Sequence, residues 1–418
     1  MSENYKLAKE IYIPRFLEKE ILKYLGKKEI IAIIGPRQCG KTTLLKNIFK
    51  NLVAKKKVFI DFEDREILEL FVNDIKSFAE LYAKENEFLF IDEFQYADEG
   101  GKNLKYLFDS YRTKIFISGS SATELSIQSI RHLVGRIFVF TLFPFSFDEF
   151  LSYKDKKLFE ISKKKKLSNE IISKINSFYE EFLVYGGYPR VILSKDASEK
   201  ETVLKNIYNI YLLKEIKGIL GFKEDYKLTK LIHALALQVG GMANYDELSR
   251  TTGFHYKELI ESINILNKTF ITCESRPFYK NQRLELVKTP KLFFIDNGFR
   301  NMIIKNFQHV KDRTDLGALN ENFVASELSK SGFELRYWRT KSNAEVDFVI
   351  KKNSEIVPIE IKSKASREIV TKSLHSFIDK YSPKEAFVLL SQLFSSKKEN
   401  STSIRFIPHW YINNLISN

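Results

Sequence analysis

The sequence predicts an α/β protein whose first part is a parallel sheet. Three observations lead to that reading. Residues 29–49, EIIAIIGPRQCGKTTLLKNIF, pass from a short apolar run through a glycine-containing turn into an amphipathic stretch of helical period. Residues 87–94, EFLFIDEF, are an apolar run that stops on two acids, as in a parallel strand buried on both faces. KIFISG at 114–119 and IFVFT at 137–141 continue the series.

Composition narrows the class. At 418 residues the chain has room for roughly two to four domains, and 44% hydrophobic residues support real cores. Nine prolines and 17 glycines exclude a fibrous or low-complexity protein. With two cysteines, Cys39 and Cys273, there is neither a disulfide framework nor a cysteine-rich zinc cluster. No apolar run is long enough to span a bilayer, and MSENYKLAKEIYIPR lacks a signal peptide's apolar segment, so a cytoplasmic protein with no membrane partner is expected. The formal net charge of +14 suits a polyanion, nucleic acid first, although lysine-rich composition alone is weak evidence.

The glycine turn carries the first chemistry. Gly35, Pro36, Arg37, Gln38, Cys39, Gly40, Lys41 and Thr42 fit G-x-x-x-x-G-K-[ST], with Thr43 following. Glycines let backbone N–H groups curl around phosphates at a helix N-terminus. Lys41 is expected to reach the β- and γ-phosphates of ATP, and Thr42 to place its hydroxyl on Mg²⁺. Cys39 reads as a small filler. Asp92 and Glu93 end a buried strand, where ligands of open α/β sheets bind. Asp92 is expected to hold Mg²⁺ through water, and Glu93 to orient and deprotonate the attacking water.

Ser118 or Ser120 is expected near the γ-phosphate. Arg136 stands just before the next strand. This order resembles the AAA+ superfamily: P-loop, acidic strand end, polar sensor, then an arginine finger. The resemblance implies that Arg136 reaches a neighbouring subunit's nucleotide, hence a homo-oligomer, a ring such as a hexamer. The plain alternative for Arg136 is a surface charge.

Downstream, a basic stretch, KDKKLFEISKKKKLSNE, reads as a solvated face or a phosphate contact. SFYEEFLVYGGYPRVIL reads as a helix, a Gly-Gly stop and a helix begun by proline. AAA+ proteins carry a helical lid here, and Arg190 is a candidate second nucleotide sensor. Residues 245–250 and 256–267 read as two helices about a turn with Gly253, followed by the strand FITCESRPFY. That is the rhythm of a winged helix-turn-helix, whose second helix begins near His255, Tyr256 and Lys257. The alternative is a module that only packs against its neighbours.

FPFSFDEF, YGGYP, YLLKEI, TPKLFFIDNGF and EVDFVI occur in this order. The chain thereby resembles a large prokaryotic family that joins an AAA-type ATPase to a C-terminal region. Familiar members have Asp where this chain has Glu215. The resemblance implies ATP hydrolysis and a C-terminal α/β fold like the PD-(D/E)XK nucleases, which are restriction-endonuclease-like. Such a site needs carboxylates that converge on Mg²⁺ (or Mn²⁺) and a lysine near the attacking water. Glu360 and Lys362 share one strand face. Asp347 lies on the preceding strand across the turn KKNSE, and Glu321 sits on an upstream helix. This Glu, Asp, Glu-x-Lys set resembles archaeal Holliday-junction resolvases.

LRYWRTKSN alternates basic and aromatic residues just before the site, as a strand that grips phosphate does. The alternative is a pair of salt-bridged strands, although a lone Glu360 on the apolar strand VPIEIK would cost several kcal/mol.

The expected organisation is an AAA+ core over 1–150, a lid over 151–220, a winged helix over 221–300 and a nuclease-like domain over 301–418. The expected function is an ATP-driven DNA-processing enzyme, branched DNA entering by analogy alone. Two rivals stand beside it: a nucleotide-switched regulatory or scaffold ATPase that only binds DNA, and a protein-remodelling or defence ATPase.

Overall fold

The computed structural model describes residues 11–97, 99–119, 130–164, 167–209, 216, 226–279, 289–363 and 367–416. The chain divides into two compact units at Leu142/Phe143. Ser120 and Glu215 lie outside the described residues.

The first unit is built on a parallel sheet of β1 (Ile30–Ile34), β2 (Lys57–Asp61), β3 (Phe88–Asp92), β4 (Lys114–Gly119) and β5 (Ile137–Thr141). The order is β2-β3-β4-β1-β5, and every pairing is parallel. All five residues of β1 are buried, which explains its unbroken run of Ile and Ala. The helix Lys41–Asn51 follows β1 and buries Leu44, Leu45 and Ile48 in a core shared with Phe90 and Phe116. The rings of those two phenylalanines stack at 4.4 Å. At the opposite end of the sheet, Lys114 Nζ donates to the carbonyls of Tyr24, Lys27 and Glu29, and burial pushes its pKa down to about 8.

The second unit opens with helices Phe147–Lys154, Lys156–Ser162, Asn169–Tyr185, Pro189–Ile192 and Ala197–Ile207. Of these, Asn169–Tyr185 packs on the later helix Leu316–Lys330, where Phe323 lies 4.8 Å from Tyr179 and 6.1 Å from Phe182. Helices Tyr226–Leu237, Tyr245–Thr252 and Tyr256–Lys268 follow. Gly253, at φ 77°, closes the middle one, as the turn between the two sequence-read helices requires.

The remaining strands are β6 (Thr272–Pro277), β7 (Lys291–Phe294), β8 (Leu335–Arg339), β9 (Glu345–Lys352), β10 (Glu355–Ile361), β11 (Glu385–Leu390), β12 (Ser395–Glu399) and β13 (Thr402–Pro408). They form one sheet, in the order β12-β13-β11-β10-β9-β8-β6-β7. The strand read as a wing, β6, pairs with β7 and runs parallel to β8, Ser275 opposite Leu335. The expected limit at residue 300 therefore falls inside a continuous sheet. The physical reason is β6's own burial. Thr272, Ser275 and Pro277 are all buried, and an isolated hairpin has nothing to cover them.

Two of the recurrent sequence motifs lock to each other here. Asp296, in IDNGF, accepts from the N–H groups of Gly187, at 2.7 Å, and Phe299, at 2.8 Å. Gly186, in YGGYP, has φ 74°, and a Cβ there would meet Asp296 Oδ1 at 2.1 Å. Asn301 Nδ2 donates to the carbonyls of Leu183 and Val184, which end the helix Asn169–Tyr185. These motifs read as a buried hydrogen-bonded joint.

Candidate functional site

The glycine loop leaves the end of β1 in the sharp bend its sequence allows. Gly35 has φ 150°, and a Cβ on it would lie 2.1 Å from the Leu142 carbonyl oxygen. Gln38, at φ 59°, and Gly40, at φ 94°, complete the curl. Pro36 is buried, Arg37 half-buried and Gln38 exposed. Lys41 opens the helix, and its buried Nζ donates to the carbonyls of Gly35, at 3.0 Å, and Pro36, at 2.8 Å. Its ammonium thus sits within the loop's concavity. Thr42 and Thr43 follow in the first helical turn, both half-buried. Cys39 is fully buried in the apolar core, as a filler would be. Buried Arg15 donates to the Cys39 carbonyl at 3.0 Å, a brace the sequence motif does not include.

Asp92 ends β3 and is 1% exposed. Ser118, on β4, donates to its Oδ1. Of the two serines considered, Ser118 is therefore the one seen beside Asp92. Glu93 has φ 53°, an unusual backbone for this residue, and accepts from Gln95 Nε2. Burial pushes the Glu93 carboxyl up. Gln95's hydrogen bond opposes that shift, Asp92 adds to it, and the charges of Lys41 and Arg37 oppose it. Glu93 directly follows β3, whose C-terminal end lies at the same edge of the parallel sheet as the loop that leaves β1.

Arg136 lies elsewhere. Ile30 pairs with Ile137, so Arg136 stands level with the residue before β1, at the sheet end opposite the loop. The separation from Gly35 is roughly 20 Å along the strand, beyond reach of its own loop. Its guanidinium pairs with Asp109 at 3.0 Å and sits over Phe108. Arg190 pairs with Glu199 at 2.8 Å on an exposed surface.

In the second unit, the turn between β9 and β10 sets Asp347 beside the Glu360–Lys362 strand end. Asp347 Oδ2 accepts from Ile361 N at 2.7 Å. Glu360, 2% exposed, receives Lys362 Nζ at 2.7 Å on one oxygen and Thr371 Oγ1 at 2.8 Å on the other. Glu321 comes from the helix Leu316–Lys330, against Gly240, where a Cβ would meet Glu321 Oε2 at 2.8 Å. Burial, then the charge of Asp347, pushes the Glu321 carboxyl up to about 7. Burial likewise pushes Asp347 up to about 6, with Glu360 adding to the rise and Ile361 N, Lys291 and Lys362 opposing it.

Two neighbours, Lys291 and Thr371, escaped sequence reasoning. Buried Lys291, on β7, pairs with Glu345 on β9, and Arg339 lies 3.5 Å from the same carboxylate. Thr371 caps the helix Lys372–Tyr381 while holding Glu360. Lysine at the head of the apolar run KLFF was the one available signal.

Divalent metal fits these residues within limits. At the loop, Thr42 follows β1 and Asp92 ends β3, with β4 between the two strands, so the hydroxyl and the carboxylate lie at the same edge of the sheet, as water-mediated Mg²⁺ binding needs. In the second unit, no three His, Cys, Asp or Glu side chains among the described residues converge as a metal cage. Asp347 and Glu360 remain a two-carboxylate set that raises the proton affinity of its own member, and a cation relieves that repulsion. Mg²⁺ accepts one or two carboxylates with several waters.

Residues 27–151 match the model of an AAA domain. Residues 176–309 and 316–411 match two models described as domains of unknown function. An uncharacterized protein of Haemophilus influenzae is 26% identical over 361 residues, covering 82% of this chain and 84% of that one. An uncharacterized protein of Methanocaldococcus jannaschii is 26% identical over 377 residues, covering 85% and 79%. A solved Walker-type ATPase of Pyrococcus abyssi aligns over 71% of this chain and 97% of its own, at 16% identity and a TM-score of 0.43. With its parallel sheet, its loop and its match to the AAA model, the first unit is a P-loop ATPase core of AAA type.

Proposed function

We propose that the protein hydrolyses ATP in its first unit and binds and cuts DNA with its second. The observation that carries the second half is the joining of Asp347 to the Glu360–Lys362 strand end by the 2.7 Å bond to Ile361 N. In the first unit, loop N–H groups and Lys41 hold the β- and γ-phosphates. Glu93 accepts a proton from water as that water attacks the γ-phosphorus, and ADP leaves. Thr42 and Asp92 hold Mg²⁺. Ser118 or Ser120 acts as sensor, Arg136 serves a neighbouring subunit in a ring, and Arg190 is a second sensor in a lid over 151–220.

In the second unit, Asp347 and Glu360 hold Mg²⁺ or Mn²⁺, with Glu321 as an outer acid. The metal, when bound, lowers the pKa of water and offsets phosphate charge. Lys362 orients the attacking water; the new P–O bond forms as the bond to the leaving sugar oxygen breaks. The net charge of +14 favours DNA, and helix Tyr256–Lys268 offers it an exposed start at Tyr256 and Lys257. Branched DNA such as a Holliday junction is the substrate that analogy suggests.

A second reading has its own support. Glu360 is already satisfied by Lys362 and Thr371, and among the described residues no third acid completes the set as a metal cage. A regulatory ATPase that keeps the fold only to bind DNA has the same features. The deciding experiment incubates the protein with Mg²⁺ or Mn²⁺, with and without ATP, against linear, forked and four-way DNA. Cleavage that disappears in Asp347→Ala supports the nuclease. DNA binding and ATP hydrolysis without any nick support the regulator. Hydrolysis indifferent to DNA, with no binding, sinks both.

A further inference from the structure

A cavity of about 730 Å³ opens between the helices Tyr245–Thr252 and Tyr256–Lys268 and β6. Its volume lies in the range of small-ligand sites. Tyr245 and Tyr256 meet edge to face at 6.1 Å on one side. Asn244 and Asn264 supply amide edges, and Glu274 with Arg276 forms the far wall. Ile260 and Ile263 supply its apolar surface.

The rim of the cavity adjoins residues that lead toward the acid–lysine cluster. Thr289 and Pro290 line it, and the next residue is Lys291, which pairs with Glu345. Met242 lines it as well, bridges to Lys291 and receives Arg339 on its sulfur at 3.6 Å. Tyr337, on β8, donates to the Thr289 carbonyl at 2.7 Å. A chain whose phosphate reached Asp347 and Glu360 would bring an adjoining residue to this opening.

The lining selects against phosphate inside. Arg276 is engaged by Glu274 at 2.7 Å, and Asp246 adds a further negative charge. A neutral planar ring is not repelled. Tyr256, 55% exposed, offers it a face, the Asn264 amide offers a donor and an acceptor to its edge, and Asn244, whose Oδ1 accepts from Glu247 N, offers its amide N–H. A lone ammonium would leave most of the volume unfilled.

We propose that this cavity holds one unpaired nucleobase of the DNA strand whose phosphate lies at the acid–lysine cluster. The inference rests on the DNA reading above. It makes the second unit a reader of single-stranded or distorted DNA, because a paired base cannot leave its stack without cost.

The test uses the full-length protein in EDTA, with fluorescence anisotropy on two probes. One is an eight-nucleotide oligo(dT); the other is the abasic phosphodiester of the same length. The wild type should bind oligo(dT) more tightly by roughly 5- to 150-fold, the range given by stacking one base on an aromatic ring. Asn264→Ala, on an exposed residue, should shrink that ratio and leave abasic binding unchanged, and Tyr256→Leu should shrink it as well. An unchanged unfolding midpoint shows that each variant folds. A wild-type ratio near one, a ratio that survives in both variants, or equal losses for both probes overturns the base pocket while leaving DNA binding intact. Failure of both probes to bind removes the DNA reading and the pocket with it. Binding of a trimethyl-lysine peptide without either probe gives the cavity to a protein partner and also overturns the proposal.

Discussion

Asp347 accepts the backbone N–H of Ile361 at 2.7 Å, so its carboxylate is fixed by the strand that carries Glu360. A side chain pinned to its neighbour's backbone needs no ligand to hold its position. Asp347→Ala should therefore abolish Mg²⁺-dependent cleavage while DNA binding stays equal or tightens, since a negative charge facing phosphate is gone. Lys362→Ala should also stop cleavage but spare metal binding, measured by Mn²⁺ relaxation. Cleavage by Asp347→Ala at the wild-type rate would end the assignment.

The loop makes a separate prediction. Lys41 lies within the concavity and Glu93 just past the end of β3, at the same edge of the sheet. Lys41→Ala should lose nucleotide binding and hydrolysis together. Glu93→Gln should bind ATP normally and fail to split it, because Asp92 and the loop are untouched. A normal turnover number for Glu93→Gln in a phosphate-release assay would show that another group activates the water.

Arg136 is placed at the wrong end of the sheet to serve its own loop, and it is tied to Asp109. A catalytic role then requires another subunit and release from Asp109. Arg136→Ala should bind ATP normally yet hydrolyse it ~10³-fold more slowly, as for other arginine fingers. Mixing it with Lys41→Ala should restore part of the rate, each chain supplying what the other lacks. A wild-type protein fully active as a monomer in sedimentation would make Arg136 a surface residue.

The loop was legible because its eight residues are contiguous and their spacing is the chemistry. The pairing of Asp347 with the Glu360 strand was legible because a short turn joins the two strands. Lys291 was not. Its partner Glu345 is 54 residues away, brought near by sheet order alone. The strand β6 reads locally as a wing, yet it pairs with β8 across sixty positions, Ser275 to Leu335. Alternation shows which face a strand buries and says nothing of its neighbour. IDNGF and YGGYP stand in the sequence as motifs in a shared order, and nothing local shows that they join, with Asp296 accepting from the backbone N–H groups of Gly187 and Phe299.

Buried acids in the second unit set a pH dependence of stability. Asp148 begins the helix Phe147–Lys154, and burial, then the charge of Glu327, pushes its carboxyl up from 3.8 to about 7. Glu327 itself is held by Phe147 N, Asn413 and Lys330. The folded state thus keeps a proton on Asp148 that the unfolded chain has released. A raised acid contributes its stability in full below the unfolded value near 4 and loses it as pH rises through about 7. A shift of this size corresponds to at most about 4.4 kcal/mol between those limits. Asp148→Asn keeps the shape and removes the titration. Urea unfolding followed from pH 4.5 to pH 8 should show the wild type losing stability with pH more steeply than the variant. The variant should be the more stable of the two at pH 8. Parallel curves for the two proteins would mean that Asp148 is ionised in the fold and paid for by Lys163 and Asn413.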